Sequence, residues 1–360
     1  MEQELLNRAF KSLGDLLPDG DMELTQQPQL EGGDASRDAI WEIRAVSFHC
    51  QLLVQAFARF IPRDADRVLG GNHPLMRHVV RDPIVVVAPW LSSRSRELLR
   101  ERGLNYLDLT GNVRVRIPRP SLYLWLDGAQ HDPNPPAKRP VLLRGAGVNA
   151  LVRTLVDFAP PYKLVDLAAT SGLSNGYVSR ALKALADDRL IRRDANTKAI
   201  IDVDWRQLLV TRAENYSLFK SNLSRTYLAR GGPNALLRAL GKDNPEQVAV
   251  TGSFAAQEYV RVAAPTQLAL YVRAFDEFVQ RHDLIPASQG ANVVLLVAAD
   301  GSQLNRGRML PAGTLHVGLS QLVQDCLAGN GRLPEEGAEL LNWMADDPAT
   351  WRQPRLPPRE

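Results

Sequence analysis

The stretch "LAATSGLSNGYVSRALKAL", residues 167–185, decides how the middle of this chain folds. Two apolar-periodic runs meet at Gly172, and a polar cluster, Ser174-Asn175-Gly176-Tyr177, follows the joint directly. The spacing predicts a helix over 164–171, whose inner face is Leu164, Leu167 and Ala168, with Ala168 small where two helices cross closely. Gly172 fits a tight turn, because a residue without Cβ takes positive φ at little cost. Leu173 plugs the core, and Ser174 reads as the N-cap of a further helix over 175–187. Val178, Leu182 and Leu185 recur at i, i+4 and i+7 and form the buried stripe of that helix. Asn175, Tyr177, Arg180 and Lys183 are then left pointing outward near its N-terminal half.

Working outward, an earlier helix is expected over 148–158. On the other side, "LIRRDANTKAIIDV" places two short β-branched runs around Asp194–Thr197, which reads as a hairpin. Helix, turn, helix and basic hairpin together predict a winged helix-turn-helix. In such a unit the second helix of the turn reaches base edges in the major groove, and the hairpin touches phosphates. The candidate DNA-binding residues are Lys163, Ser174, Asn175, Gly176, Tyr177, Ser179, Arg180, Lys183, Arg192, Arg193 and Lys198. Between residues 151 and 203, eight Lys and Arg stand against six Asp, an excess of only two. Tight binding by one such element is therefore not expected without a dimer or a second domain.

The 360 residues are 45% hydrophobic and 23% charged, with a formal net charge of +3. These are ordinary values for a folded chain of two or three domains. The charge permits a nucleic-acid partner without demanding one. Cys50 and Cys326 form no CxxC pattern, which fits a reducing compartment, and the acidic amphipathic N-terminus is no signal peptide. The longest apolar runs, "VVVAPWL" and "ANVVLLVAA", are far short of the roughly 20 residues of a membrane span and read as buried strands. A cytoplasmic protein follows as the expectation.

Residues 1–35 are expected as a helix over 5–17 and a polar, loop-like tail. Residues 36–130 alternate strands with one helix, "LSSRSRELLRERG", capped by serine and stopped at Gly103. A proline-rich connector over 129–140 leads into the helical domain, 141–205. Residues 206–345 open with helices, continue with strands "EQVAVTG", "LALYV" and "ANVVLLVAA", and close with a helix over 318–327. Residues 346–360 are expected as a loose tail.

Strand, helix and strand in "VVAPWLSSRSRELLRERGLNYLDLTGN" resemble the PD-(D/E)XK nuclease-like fold. That resemblance implies carboxylates around a divalent metal and a lysine beside them. Here Gln55 and Phe57 occupy those places and Asp108 stands alone, so a scaffold without nuclease chemistry is expected. Arg94, Arg96, Arg100 and Arg102 on the helix either attract nucleic acid or pair with Glu97 and Glu101. "VAVTGSFAAQEYV" resembles the start motif of nucleotidyltransferases, but Gln267 and Ala269 stand where metal-binding aspartates are wanted. Gly252 and Ser253 then make a structural turn. His73 and His78 are spaced i, i+5 and would diverge on a helix, so no metal site is expected there. The six tryptophans read as core or interface residues rather than stacking platforms.

The whole arrangement, with "VGLSQLVQDCLAGNGRLPEEGAELL" near its end, resembles the AbiEi-like antitoxin and regulator family over residues 145–345. The expected fold class is α/β multi-domain: a nuclease-like domain, a central winged helix and a nucleotidyltransferase-like domain. The expected function is a sequence-specific, double-stranded DNA-binding transcriptional regulator, acting as a homodimer, without catalysis and without a cofactor. Its effector is left open among a small molecule, single-stranded DNA and a protein, and no membrane partner is implied. The alternatives are a DNA-directed nuclease or nucleotidyltransferase, or the antitoxin of a toxin–antitoxin pair. Carboxylates gathered in space around Asp108, or around Asp276 and Glu277, would favour an enzyme.

Overall fold

The computed structural model describes residues 2–18, 21–27, 38–46, 48–70, 82–118, 121–134, 146–241, 248–298 and 301–357. It is a mixed α/β protein with two large mixed sheets. The chain divides into two compact units, residues 1–139 with 187–189, and residues 140–186 with 190–360. Among the described residues, no helix is long and apolar enough to cross a membrane. His73 and His78 lie outside the described residues.

The first unit runs α1 (Glu2–Gly14), β1 (Glu23–Gln27), β2 (Ala39–Ala45), β3 (Phe48–Ala56), α2 (Ala65–Gly70), β4 (Ile84–Ala88), α3 (Ser93–Glu101), β5 (Asn105–Asp108), β6 (Val113–Pro118) and β7 (Ser121–Leu126). Its seven strands lie side by side in chain order. The pairs β3–β4 and β4–β5 are parallel and the others antiparallel. Strand alternation splits β4 between two cores. Val85 and Val87 face Leu5, Leu6, Ala9 and Leu13 of α1, while Val86 and Ala88 face Leu99 of α3. Helix α3 begins on Ser92, whose side chain accepts from the Ser95 amide at 3.1 Å, and ends before Gly103 at φ 69°. Both were expected from the sequence.

Two expectations for this unit are corrected. The N-terminal helix is no separate appendage, because its leucines form one core with the sheet. Residues 23–27 are not loop: they pair with Ile40–Arg44 as an edge strand whose half-exposed position tolerates polar side chains.

The second unit opens with α4 (Ala146–Asp157), α5 (Leu164–Ser171), α6 (Asn175–Asp187), β8 (Ile191–Arg193) and β9 (Ile200–Val203). It continues with α7 (Trp205–Glu214), α8 (Leu218–Ser221), β10 (Leu223–Leu228), α9 (Pro233–Leu240), β11 (Val248–Thr251), α10 (Ser253–Ala256), β12 (Leu268–Val272) and α11 (Phe275–Arg281). The last elements are β13 (Ile285–Pro286), β14 (Val293–Val297), β15 (Arg308–Met309), β16 (Leu315–His316), α12 (Leu319–Leu327) and α13 (Leu333–Asp346). The large sheet has the order β13-β10-β14-β12-β11-β16-β15.

The expected boundary near residue 205 separates no cores. One apolar cluster runs from Val148 and Leu155 of α4 through Leu182 of α6 and Leu208 of α7 to Leu270, Leu295, Val323 and Leu340. Polar bonds reinforce it. The fully buried Arg153 of α4 donates to the carbonyls of Ser302 and Asn305 and to Ser320 Oγ, the last at 3.3 Å. Asn149 donates to Ser302 Oγ at 2.9 Å and to Gln321 at 3.0 Å.

The expected loose tail is also tied down. Arg352 donates to the carbonyls of Leu155 and Phe158 at 3.1 and 3.0 Å, acceptors at the end of α4 that the Tyr162 hydroxyl also serves. Trp351 stacks edge-on against Trp205 with centroids 5.2 Å apart.

Beneath α12 lies a buried polar knot. Asp325 is fully buried and accepts from Thr251 at 2.7 Å, Gln321 at 2.8 Å, Tyr216 at 2.9 Å and Tyr271 at 3.1 Å. Burial pushes its carboxyl up to about 6, although these donors pull the other way. Burial, helped by Arg308, pushes His316 down to about 4.

Candidate nucleic-acid interface

Helices α5 and α6 keep the bounds that the sequence predicts, 164–171 and 175–187. The turn between them is made by Gly172 at φ 68°, ψ 28°. The Gly172 amide donates to Ala169 O at 3.2 Å and the Leu173 amide to Ala168 O at 3.0 Å, which closes the end of α5. Ser174 Oγ accepts from the Tyr177 amide at 3.3 Å, so it caps α6. Val178, Ala181, Leu182 and Leu185 are buried.

This burial turns Ser174, Asn175, Gly176, Ser179, Arg180 and Lys183 to the solvent. They gather at the first three turns of α6, the end where backbone amides also point outward. Tyr177 departs from the expectation. It is half-buried, with its ring within contact range of where a Gly147 side chain would start, and burial raises its hydroxyl pKa. A glycine at the start of α4 leaves a niche, and the ring leans into it.

The ribbon after α6 pairs Ile191 with Val203 and Arg192 with Asp202, with an irregularity before Arg193. Tyr162 exchanges backbone bonds of 3.0 and 2.9 Å with Ile200 and so adds a third rung. At the tip, Asp194 accepts from the amides of Asn196 and Thr197 at 3.1 and 2.7 Å and from Thr197 Oγ1 at 2.8 Å. These bonds, the Thr197 amide first, hold its carboxyl below the usual range. Lys198 adopts φ 58° and its Nζ donates to Ala195 O at 2.5 Å, which draws the ammonium over the tip.

Of the ribbon's cations, Arg192 and Lys198 are exposed and Arg193 is half-buried. Arg192 lies 3.5 Å from Asp202, an open pair worth little in water. Lys163, just before α5, is exposed. Arg153, counted among the positive charges of this stretch, is inside the protein and adds nothing to the surface.

The enzyme-like features are less suggestive in space. Asp108 is buried and accepts from five donors: the amides of Leu91, Thr110 and Asn112, Thr110 Oγ1 and Asn112 Nδ2. It ties the β5–β6 turn to the segment before α3. Phe57 packs edge-on against Phe60 with centroids 5.0 Å apart. Gly252 takes φ 65° at the start of a four-residue helix, which fits the expected turn. Gln267 donates to Ala291 O at 3.2 Å, and Ala269 is buried. Asp276 and Glu277 are exposed and lie near Arg225 and Arg281 respectively. Among the described residues, no group of three or more His, Cys, Asp or Glu could hold a metal ion.

One of the tryptophans expected in the core or an interface stands exposed beside a tyrosine. Tyr123 and Trp125 on β7 are 56% and 44% exposed. The signal was present in "SLYLWL": leucines at 122, 124 and 126 alternate with Tyr123 and Trp125, so one set must face away from the core.

The chain matches no protein-family model, no curated protein and no solved structure.

Proposed function

We propose that this protein is a sequence-specific, double-stranded DNA-binding transcriptional regulator working in the cytoplasm. The observation that carries the reading is the exposed polar row Ser174, Asn175, Arg180 and Lys183 on a capped helix, followed by a hairpin that exposes Arg192 and Lys198. In this reading, residues 141–205, with α4 to β9, are a winged helix-turn-helix. The first turns of α6 enter the major groove, where arginine suits the acceptors of guanine and asparagine those of adenine. The ribbon and Lys163 hold the phosphates. Ser174 then has two tasks: it caps α6 and brings the amide-rich helix end close to the backbone.

The finer architecture belongs to the same proposal. The sheet of the first unit would be a nuclease-like scaffold, and the sheet of the second a nucleotidyltransferase-like one. Neither would carry catalysis, since Asp108 spends its lone pairs on structural donors. The AbiEi-like resemblance would place the protein among antitoxins and regulators.

Gel-shift titrations at several salt concentrations test the reading. Arg180→Ala should weaken specific binding by about 1–3 kcal/mol. Lys198→Ala should weaken binding to all sequences alike and reduce the salt slope by about one. Unchanged binding in both variants would remove α6 and the ribbon as the DNA reader.

A further inference from the structure

The outer part of the first sheet carries an arrangement that the winged-helix reading does not use. On the face turned toward α3, the cross-strand register aligns Tyr106, Arg114 and Trp125 in one row. The next row on β6 and β7 aligns Arg116 with Tyr123. Helix α3 covers Tyr106, which is buried, but leaves β7 open, so Tyr123 and Trp125 stand in solvent. Their rings meet edge-on with centroids 6.2 Å apart. Large exposed aromatic rings on an edge strand are costly to leave wet, and an edge strand invites company.

Arginines gather around them. Arg96 and Arg100 lie on one side of α3, four residues apart; burial raises the hydroxyl pKa of Tyr106, and Arg96, Arg114 and Arg100 are near enough to oppose that rise. Arg96 is held by Asn112 and Gln130, and Arg114 donates to Leu104 O. Arg100 and Arg116 are exposed. Acids are present too: Asp127 lies 3.8 Å from Arg96, Glu97 pairs with Arg94 on α3, and Glu101 is exposed on the same helix. Two exposed rings beside Arg96, Arg100, Arg114 and Arg116 suit a polyanion that has flat faces to offer. Duplex DNA hides its base faces, whereas a single strand exposes them.

We propose that this face of β6 and β7 binds single-stranded DNA. Bases stack on Tyr123 and Trp125, and Arg100 and Arg116 take the phosphates. Arg96 and Arg114, already bonded to the protein, add positive potential. Only the choice of DNA over RNA rests on the proposed reading of α6; the stacking and charge arguments stand without it. A second copy pairing through β7 is the competing occupant. The arginines speak against it, because self-association would crowd like charges.

The test is fluorescence anisotropy of labelled oligo(dT) of about 12 nucleotides, within the range one such platform covers. The full-length protein should bind it, and the oligonucleotide should quench Trp125. Tyr123→Ala and Trp125→Ala should each weaken binding roughly 5- to 150-fold, the loss of one stacked base. Trp125→Phe should retain most of the affinity, which separates stacking from a change of fold. Arg116→Ala should reduce the salt slope by about 0.7. Duplex binding, followed in parallel, should not move in these variants, whereas Arg180→Ala should affect the duplex and spare oligo(dT). No oligo(dT) binding by the wild type, or the same affinity in the Tyr123→Ala, Trp125→Ala double variant, overturns the proposal. So does a double variant whose only change is loss of self-association, which would assign the face to a second copy. Tighter binding of oligo(U) than of oligo(dT) overturns the choice of DNA.

Discussion

At the scale of single residues, Asp325 and His316 oppose each other. Asp325 is raised in the folded protein to about 6, so the stability it contributes is present below its unfolded value and is lost as pH rises toward 6. His316 is lowered to about 4, so its contribution is present above its unfolded value and is lost as pH falls toward 4. Both windows lie roughly between pH 4 and 6.5 and their slopes have opposite sign, so the wild type should show a flat profile there. Asp325→Asn should unmask the histidine, with stability rising with pH by up to about 1.4 kcal/mol per unit. His316→Gln should unmask the aspartate, with stability falling by a similar amount. Urea unfolding from pH 4 to 7 reads both; parallel profiles in all three proteins would show that these two groups do not dominate. None of this was visible in the sequence. His316 and Asp325 gain their surroundings from strands and helices that only the fold brings together.

At the scale of elements, legibility followed the range of the cause. Helices α5 and α6 were readable to the residue because Gly172, Ser174 and the Val178-Leu182-Leu185 stripe are local instructions. Strand β10 was not read, since "LSRTYL" has a polar middle and becomes a strand by pairing with β14 along Leu223–Tyr227. Strand β1 was missed for the same reason. The half-buried Tyr177 was misjudged because its niche is a glycine in another helix. The largest misreading concerned α4, whose Arg153 looked like a surface charge. Its guanidinium instead fastens α4 to residues 302–320. Arg153→Met should therefore cost about 2–4 kcal/mol in chemical denaturation, because buried carbonyls lose their donors. A fragment of residues 140–205 should fail to melt cooperatively by circular dichroism, whereas residues 140–360 should do so. An independently folded short fragment would contradict the shared core.

At the scale of the whole molecule, the proposed DNA reading asks for more than one copy. With Arg153 inside, the surface around α6 carries even less positive charge than the sequence count suggested. One recognition helix rarely supplies the roughly 10³–10⁷-fold discrimination that a genome requires. A two-fold dimer on an inverted repeat is expected, with half-sites about 10–10.5 bp or a multiple apart. Light scattering of the complex together with footprinting decides this, and a single copy on an asymmetric site would refute it. The grip of Arg153 on the carbonyls of Ser302 and Asn305 has a mechanical side as well. A tilt of α4 must carry the segment around residues 302–305 with it or break these bonds, and α5 and α6 share one core with α4. On the proposed function, whatever shifted that segment would steer α6 against DNA like a rudder. By reciprocity, DNA bound on α6 in that proposal would register at the far end of the tiller.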